Sequence, residues 1–275
     1  MKKAAVLLAL ALVVAFIGIA VFSPHASAQN NLPSSKATAA VNTAVSCKVS
    51  NATSVDIGAA PMTCKDIWSG NPATVTDDNF VTIMSVPMKV SNSQSLFATP
   101  SLVTGLYTNT SVKTKPGSTS TATAAGGVFM RAVLSTDAAG KNIVQIADPV
   151  GLCTNDILGC QQTSNGSFGV VLDSRVQTLS QTLSDCVVNV TVGGVAGSGT
   201  CTFDSTIDLI LKTTSAHTYN FIFPNVGQGV YYVVVQVGID SNATVSGSGV
   251  AVGSAAFGLG SLTVESVRLV HSFSF

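Results

Sequence analysis

Apolar and polar residues alternate with a period of two along much of the chain, and the longest such runs lie within residues 206–239. In the last of these runs the odd-numbered positions 231–239 are apolar, and the even-numbered positions 230–234 are apolar as well. A strand that is apolar on both faces is typical of a central position with cover on both sides. This run therefore predicts the central strand of the core.

A second alternating run precedes it, with Tyr219, Phe221 and Phe223 on one face. The two runs are joined by the six residues 224–229, in which Pro224 fixes φ and the glycines permit positive φ. Because this connection is longer than a two-residue turn, it predicts either a loose hairpin or a short arch from one sheet to another.

The remaining predicted strands are short and are separated by turn residues. Pro87 within the strand 80–90 favours an edge position or a bulge, because proline cannot donate to a sheet. Pro100 divides residues 95–115 into two predicted strands, and the low-complexity segment 116–127 predicts an exposed loop or a weak strand. Further strands are predicted at 128–134, 142–147, 169–172, 187–192 and 260–269.

No segment shows a sustained period of 3.6 residues. Short strands with turn signals between them predict an all-β fold: a single antiparallel β-sandwich of the jelly-roll type, with local disulfides and little or no helix outside a signal peptide. The segment 260–270, GSLTVESVRLV, is similar to the closing strand of jelly-roll carbohydrate-binding modules, in which small residues precede an alternating acidic–x–Val–x–Leu run. This resemblance implies the same jelly-roll fold.

The N-terminus has the pattern of a bacterial secretory signal, with two lysines, an apolar run at 4–22 and a small-x-small site before Gln29. The sequence predicts a signal peptide at 1–28, a flexible lead-in at 29–45 and one β-sandwich domain at 46–275. Because the apolar run is nearly long enough to cross a bilayer, a retained membrane anchor is the alternative. We expect a secreted protein, extracellular or periplasmic, that can associate with the cell surface.

Charged residues make up only 9% of the chain, against about 25% in an average soluble domain, and small and hydroxyl-bearing residues replace them. Basic and acidic residues number 13 each, and loss of the two N-terminal lysines leaves the mature chain slightly acidic. Without a basic patch, nucleic acid is not an expected partner. The expected partners are a glycan, an extracellular protein or a second copy of the chain, with no membrane contact after cleavage.

Six cysteines without a CxxC pair agree with export and predict disulfides between neighbours in sequence. In the clearest case, a hairpin built from strand 187–192 and a return at 200–203 places Cys186 opposite Cys201, within reach of a disulfide. A zinc site is the alternative, although neither histidines nor CxxC spacing accompany these cysteines. The predicted pairs are Cys47–Cys64, Cys153–Cys160 and Cys186–Cys201.

Candidate catalytic groups are few. His217 near Asp208 or Asp204 would form the acid–base pair of a hydrolase, but no GxSxG or HExxH motif accompanies it. Glu265 is the only glutamate of the mature chain, and a glycosidase would need it beside an aspartate such as Asp173. No catalytic residue is therefore assigned, and the protein is not expected to be an enzyme.

One candidate metal site precedes the strand at 80–90. Asp77, Asp78 and Asn79 form an oxygen-rich turn of the kind that binds calcium, with a solvated Asx turn as the alternative. No other cofactor is expected.

The favoured function is a structural or adhesive role for a secreted or cell-surface protein without catalysis of its own. The first alternative is recognition of carbohydrate, assisted by calcium, for which Trp68, Tyr107 and Tyr219 are the nearest aromatic candidates. A secreted hydrolase is the least favoured reading of the sequence.

Overall fold

The computed structural model describes residues 37–75, 80–149, 169–185, 187–192, 195–200 and 205–267. Strands dominate these ranges, and the one helix among them is a single short turn. In chain order the elements are β1 (Ala37–Thr53), α1 (Cys64–Ile67), β2 (Ala73–Thr74), β3 (Val81–Val90), β4 (Gln94–Thr114), β5 (Ser118–Ser135), β6 (Ile143–Ile146), β7 (Val170–Leu183), β8 (Val187–Val192), β9 (Val195–Thr200), β10 (Ser205–Thr218), β11 (Phe221–Val226), β12 (Gly229–Ser246) and β13 (Ser248–Val267).

Two main sheets and one small sheet contain the described strands. The first sheet has the order β10-β4-β13-β1-β2, with β11 pairing with β4 beyond the end of β10. The second has the order β3-β12-β5-β6, with β7 also pairing with β5, and β8 and β9 form the small sheet. Pairing is antiparallel except between β1 and β2. The predicted all-β, mainly antiparallel fold is confirmed. Across the described ranges, no helix is both long and apolar enough to cross a membrane.

The central position predicted for residues 230–239 is confirmed. They belong to β12, which lies between β3 and β5 in the second sheet, and residues 233–239 are buried. The cover expected on both faces at the start of the run is not observed, since Val230 is 53% exposed. Pro87 lies in β3, which among the described strands pairs only with β12 and so forms an edge of this sheet, the first of the two positions that its proline predicts.

The connection from β11 to β12 is an arch between the two main sheets and not a hairpin. Phe221 and Phe223 of β11 pair with β4 in the first sheet, whereas Gly229 begins β12 in the second. Asn225 within this connection has a φ of 53°, in the left-handed region that asparagine tolerates. Of the two connections that the sequence allows, a loose hairpin and a short arch, the structure therefore has the arch.

Strand β4 runs unbroken through Pro100, so the prediction of two strands at 95–115 is wrong. One edge of β4 pairs with β13 along almost its whole length. On the other edge, β10 ends opposite Ser101 and β11 starts opposite Ala98. Tyr219 N–H donates to the Pro100 carbonyl at 3.0 Å, so the nitrogen of Pro100 faces the gap between β10 and β11. Proline is tolerated there because no strand requires its missing N–H.

The low-complexity segment 116–127 is mostly strand, so the predicted exposed loop is wrong. The strand is not a weak one either, because it pairs with β12 on one side and β7 on the other. The segment forms the first part of β5, in which Ala122 and Ala124 are buried. Small residues are required because the two main sheets approach closely here. A Cβ atom on Gly126 would lie 2.6 Å from the carbonyl oxygen of Ser254.

The buried clusters that take side chains from both main sheets differ in side-chain size. The largest buried cluster takes side chains from both sheets and includes Phe221, Leu134 and Leu262. A second cluster, around the first part of β5, is built from smaller residues such as Ala122 and Ala251. Large side chains therefore fill one cluster, and small ones allow close contact between the sheets in the other.

Strand β1 begins at Ala37, so residues 37–45, predicted as part of the flexible lead-in, are strand. This segment has no apolar periodicity of its own, but its backbone pairs with β13, starting with Ala37 opposite Glu265. A bulge between Asn42 and Val45 interrupts the pairing. Pairing with a long neighbour thus outweighs weak local preference.

The β8–β9 hairpin has the predicted register, with Val187 opposite Thr200. Its turn is tighter than predicted, since Val192 already pairs with Val195. The remaining predicted cysteine pairs lie outside the described residues: Cys153, Cys160, Cys186 and Cys201.

Candidate functional site

Strand β10 is exposed over nearly its whole length of 14 residues. It ends the first sheet and, within the described chain, pairs only with β4. Four large aliphatic side chains on it reach the surface: Ile207, Leu209, Ile210 and Leu211 are 42, 40, 58 and 43% exposed. A long apolar strand at a sheet edge is ready to pair with another strand.

The backbone of β10 offers hydrogen-bonding groups along this edge. The bond from Tyr219 N–H to the Pro100 carbonyl continues the register of the β10–β4 pairing. Because the backbone groups of successive residues in a strand point to opposite sides, the odd-numbered residues of β10 face β4 and the even-numbered residues face outward. Asp208, Ile210 and Lys212 therefore present their backbone N–H and C=O groups at the edge.

Two other sheet edges carry features that hinder strand addition. Strand β3 contains the exposed Pro87, and β1 is bulged at Asn42 and partly covered by β2. On β10, the Nζ of Lys212 donates to the Ile67 carbonyl at 2.8 Å and lies 5.2 Å from the centre of the Trp68 ring. This charge is thus directed at the outer face of the sheet, and no other described strand pairs with the edge.

A buried polar seam joins the inner face of β10 and β4 to β7 of the second sheet. At its centre, the Nε2 of Gln177 donates to Thr110 Oγ1 at 2.6 Å and to the Leu209 carbonyl at 2.8 Å. The Thr108 hydroxyl donates to Gln177 Oε1 at 2.8 Å. Since an unpaired buried amide is costly, this complete set of bonds fixes β7 against β10.

At one end of the seam, His217 lies beside Asp173 and not beside Asp208. His217 Nε2 is 3.6 Å from Asp173 Oδ2, which also accepts a 2.8 Å hydrogen bond from the Thr104 hydroxyl. Asp208 lies on the same strand as His217 but pairs with Ser111 and is exposed, so the predicted proximity of His217 and Asp208 is wrong. Asp204 lies outside the described residues.

The 3.6 Å contact between His217 and Asp173 is longer than a hydrogen bond, and His217 Nε2 has no hydrogen-bond partner among the described residues. A hydrolytic site also needs a nucleophile within hydrogen-bond reach of the base. Thr104 donates its hydroxyl proton to Asp173 and not to His217. The contacts of Asp173 with His217 and Thr104 therefore link β7 to β10 and β4.

The outer face of the first sheet is covered by a cap formed by residues 54–75. The disulfide between Cys47 of β1 and Cys64 of α1 anchors it, which confirms that predicted pair. Trp68 Nε1 donates to Ser254 Oγ at 2.9 Å, and the ring packs on Gly105, whose missing Cβ makes room for it. These contacts attach the cap to β1, β4 and β13.

A shallow cavity of about 150 Å³ opens beside this cap. Its lining is mainly apolar and includes Val45, Trp68, Val103, Phe257 and Leu259. No charged side chain lines it. Ser69, Thr104 and Thr214 also line the cavity, which suits a small and mainly apolar group.

The three aromatic residues predicted to contact a ligand do not form a common platform. Trp68 and Tyr107 are 8% and 7% exposed and belong to the cluster beneath the cap. Tyr219 is half-buried, stacks 4.9 Å from Phe221 and packs on the main core. Little ring surface is therefore presented in one plane.

No metal site is assembled in the described part of the chain, where no group of three or more His, Cys, Asp or Glu side chains comes together. The predicted calcium turn Asp77–Asn79 lies outside the described residues.

Arg131 is a buried cation on β5. Burial lowers the pKa of its guanidinium to about 10, which still leaves it protonated at neutral pH. Its Nε donates to Gln236 Oε1 at 2.8 Å, and the group lies 4.6 Å from the centre of the Phe80 ring. These contacts join neighbouring strands of the second sheet.

Comparison with protein-family models and with curated protein sequences finds no match for this chain.

The free edge of β10 and the Asp173 partner of His217 are the two features that sequence reasoning missed. The signal for the first is weak: Asp208 interrupts the run 207–211 and Lys212 follows it, but the run otherwise has the composition of a buried strand. Nothing in the local sequence predicts that Asp173 contacts His217, because this contact depends on the packing of one sheet on the other.

Proposed function

We propose that this protein is a non-catalytic structural or adhesive protein of the extracellular space or cell surface, which associates by adding a strand to β10. The observation that carries the proposal is the apolar edge of β10, which no other described strand covers, with Ile210 58% exposed at its middle. Strand addition supplies a row of backbone hydrogen bonds and needs no catalytic group. Soluble proteins usually block such edges, so an open apolar one favours an interface.

For the fold, we propose a single β-sandwich of the jelly-roll type in which the two main sheets face each other. Support comes from the shared buried cluster, to which the first sheet contributes Leu102 and the second Leu134 and Val235. The connections β3–β4, β4–β5, β11–β12 and β12–β13 each pass from one sheet to the other. Such crossings are expected of a jelly roll.

An extracytoplasmic location is part of the proposal. The Cys47–Cys64 disulfide supports it, because disulfides persist in oxidising compartments. The exposed surface of β5 and β7 carries hydroxyl groups that hydrogen-bond to each other across the strands. Examples are the pairs Thr119–Thr182 and Thr121–Ser180, both at 2.9 Å. A charge-poor, hydroxyl-rich surface of this kind suits a layer or an adhesive coat.

The proposal is tested by light scattering on the protein expressed from its full chain and purified from the exported fraction. We expect the fraction of associated protein to rise with concentration, and monomers for Ile210→Lys, which places charge at the middle of the edge. The matched control is Val144→Lys on β6, where Val144 is 55% exposed, and it should assemble like the unaltered protein. A strictly monomeric protein that also fails to bind cell surfaces would overturn the proposal.

A further inference from the structure

We infer that the strand added to β10 is β10 of a second copy, antiparallel and related to the first by a two-fold axis through Ile210. This inference rests on the proposed function and specifies its partner. A two-fold interface must be self-complementary, because whenever one residue of the first copy faces a second residue of the partner, the second residue of the first copy faces the first residue of the partner. The sequence of β10 meets this condition in both charge and apolar character.

Charge complementarity fixes the register. An axis through Ile210 places Asp208 opposite the partner's Lys212, and Lys212 opposite the partner's Asp208. Directly opposite residues of an antiparallel pair have Cβ atoms about 5 Å apart, a distance at which opposite charges attract. Lys212 donates to the Ile67 carbonyl, and its ammonium group has further N–H donors for a carboxylate.

The apolar side chains agree with the same register. Ile210 faces the partner's Ile210 on the outer face, and Leu209 faces the partner's Leu211 on the inner face. In each copy these side chains are between 40 and 58% exposed. The pairing would therefore cover the exposed aliphatic surface of β10 from both sides.

The backbone also fits. Ile210 and the even-numbered residues of β10 direct their N–H and C=O groups outward, as the β10–β4 register requires. With the axis at Ile210, these outward groups meet those of the partner strand in hydrogen-bonded pairs. The first sheet would then continue across two copies.

Neighbouring registers are less favourable. Moving the axis to Asp208 or to Lys212 places that charged residue opposite its own counterpart, which is repulsive. Moving it by one position, to Leu209 or Leu211, places Ile210 opposite a charged side chain. Only the axis through Ile210 pairs both charges and aliphatic residues.

The register is tested by single cysteine substitutions in the full-chain protein. In a hydrogen-bonded antiparallel pair the Cα atoms are about 5.5 Å apart, within disulfide reach. Ile210→Cys should therefore form a covalent dimer under mild oxidation. Thr206→Cys alone should not, because Thr206 faces the partner's Thr214, whereas a mixture of Thr206→Cys and Thr214→Cys should cross-link.

A charge swap provides a second test. We expect Asp208→Lys to raise the dimer dissociation constant roughly tenfold or more, because it creates two like-charge contacts. Adding Lys212→Asp to it should restore the dimer by reversing both charges. Asp56→Lys, an exposed site in the cap with the same change in net charge, is the matched control and should leave association unchanged.

The outcomes separate this inference from the proposed function. If oligomers form but Ile210→Cys does not cross-link them, the register is wrong and strand addition at β10 still stands. The same conclusion follows if the charge swap does not change association. A monomer in every condition that still binds cell surfaces would overturn the second copy as the partner, and a monomer that also fails to bind them would overturn both proposals. A monomer whose Ile210 amide is also protected from hydrogen exchange would show that another part of the same chain covers the edge.

Discussion

Gly105 is the residue on which the cap over the first sheet depends. A Cβ atom at this position would lie 2.8 Å from Cζ3 of Trp68, too close for the ring to keep its place. Because Trp68 also donates to Ser254 and lies beneath Lys212, displacing it disturbs several contacts at once. We expect Gly105→Ala to lower the free energy of unfolding by about 1–3 kcal/mol.

Urea denaturation followed by the fluorescence of Trp68, the single tryptophan of the chain, measures this effect directly. The matched control is Gly199→Ala in β9, where a Cβ atom would have no neighbour within 4 Å. If both variants unfold at the same urea concentration, Trp68 does not rest on Gly105 as described.

At the scale of elements, Gln177 joins β7 of one sheet to β10 of the other. Its side chain is buried and bonds to Thr108, Thr110 and the Leu209 carbonyl. Gln177→Met keeps the length of the side chain but removes these bonds. We expect it to lower the free energy of unfolding by about 1–3 kcal/mol and to speed amide exchange in β10.

Hydrogen exchange with mass spectrometry reports on β10 separately from global unfolding. Thr182→Val, which removes an exposed hydroxyl on the same strand, should change stability by less than about 0.5 kcal/mol and leave β10 unchanged. Unaltered exchange in β10 on Gln177→Met would mean that the seam does not hold this strand.

The elements also show what the sequence can and cannot predict. Alternation correctly predicts β12 as a central strand because burial on both faces leaves a long apolar run. Pro100 misleads because its tolerance depends on the gap between β10 and β11, which local sequence does not contain. The alanine-rich start of β5 has the composition of a loop. Its burial depends on the close approach of another sheet, which the local sequence does not show.

The candidate site follows the same rule. The Cys47–Cys64 pair is predictable because its two cysteines are near in sequence. The edge of β10 is not, since an aliphatic run such as 207–211 looks alike in a buried strand and at an edge. Which strands stay without a neighbour is a property of the complete sheet.

At the scale of the whole molecule, Lys48 and Asp240 connect the two main sheets. Lys48 lies on β1 and Asp240 on β12, with Nζ and Oδ1 3.6 Å apart. Burial raises the pKa of Asp240 above its ordinary value of 3.8, and attraction to Lys48 only partly offsets this. The folded state therefore holds a proton on Asp240 more tightly than the unfolded state does.

The sign of the pH dependence follows from this difference. As pH rises from the unfolded pKa near 3.8 through the higher folded pKa, Asp240 lowers the stability of the folded protein. Asp240→Asn does not titrate. We therefore expect its free energy of unfolding to increase relative to that of the unaltered protein as pH rises through this window, whatever constant offset the loss of the Lys48 contact adds.

Urea denaturation across roughly pH 3 to 7 measures the difference between the two proteins. Asp137→Asn is a control of opposite sign, because hydrogen bonds from the backbone N–H of Asn142 and its neighbours lower the pKa of Asp137 despite partial desolvation. Its carboxylate stabilises the fold above the unfolded pKa and loses that effect as pH falls. If the free energies of unfolding of the two variants, each relative to the unaltered protein, changed with pH in the same direction, this would contradict the burial of the Asp240 carboxylate.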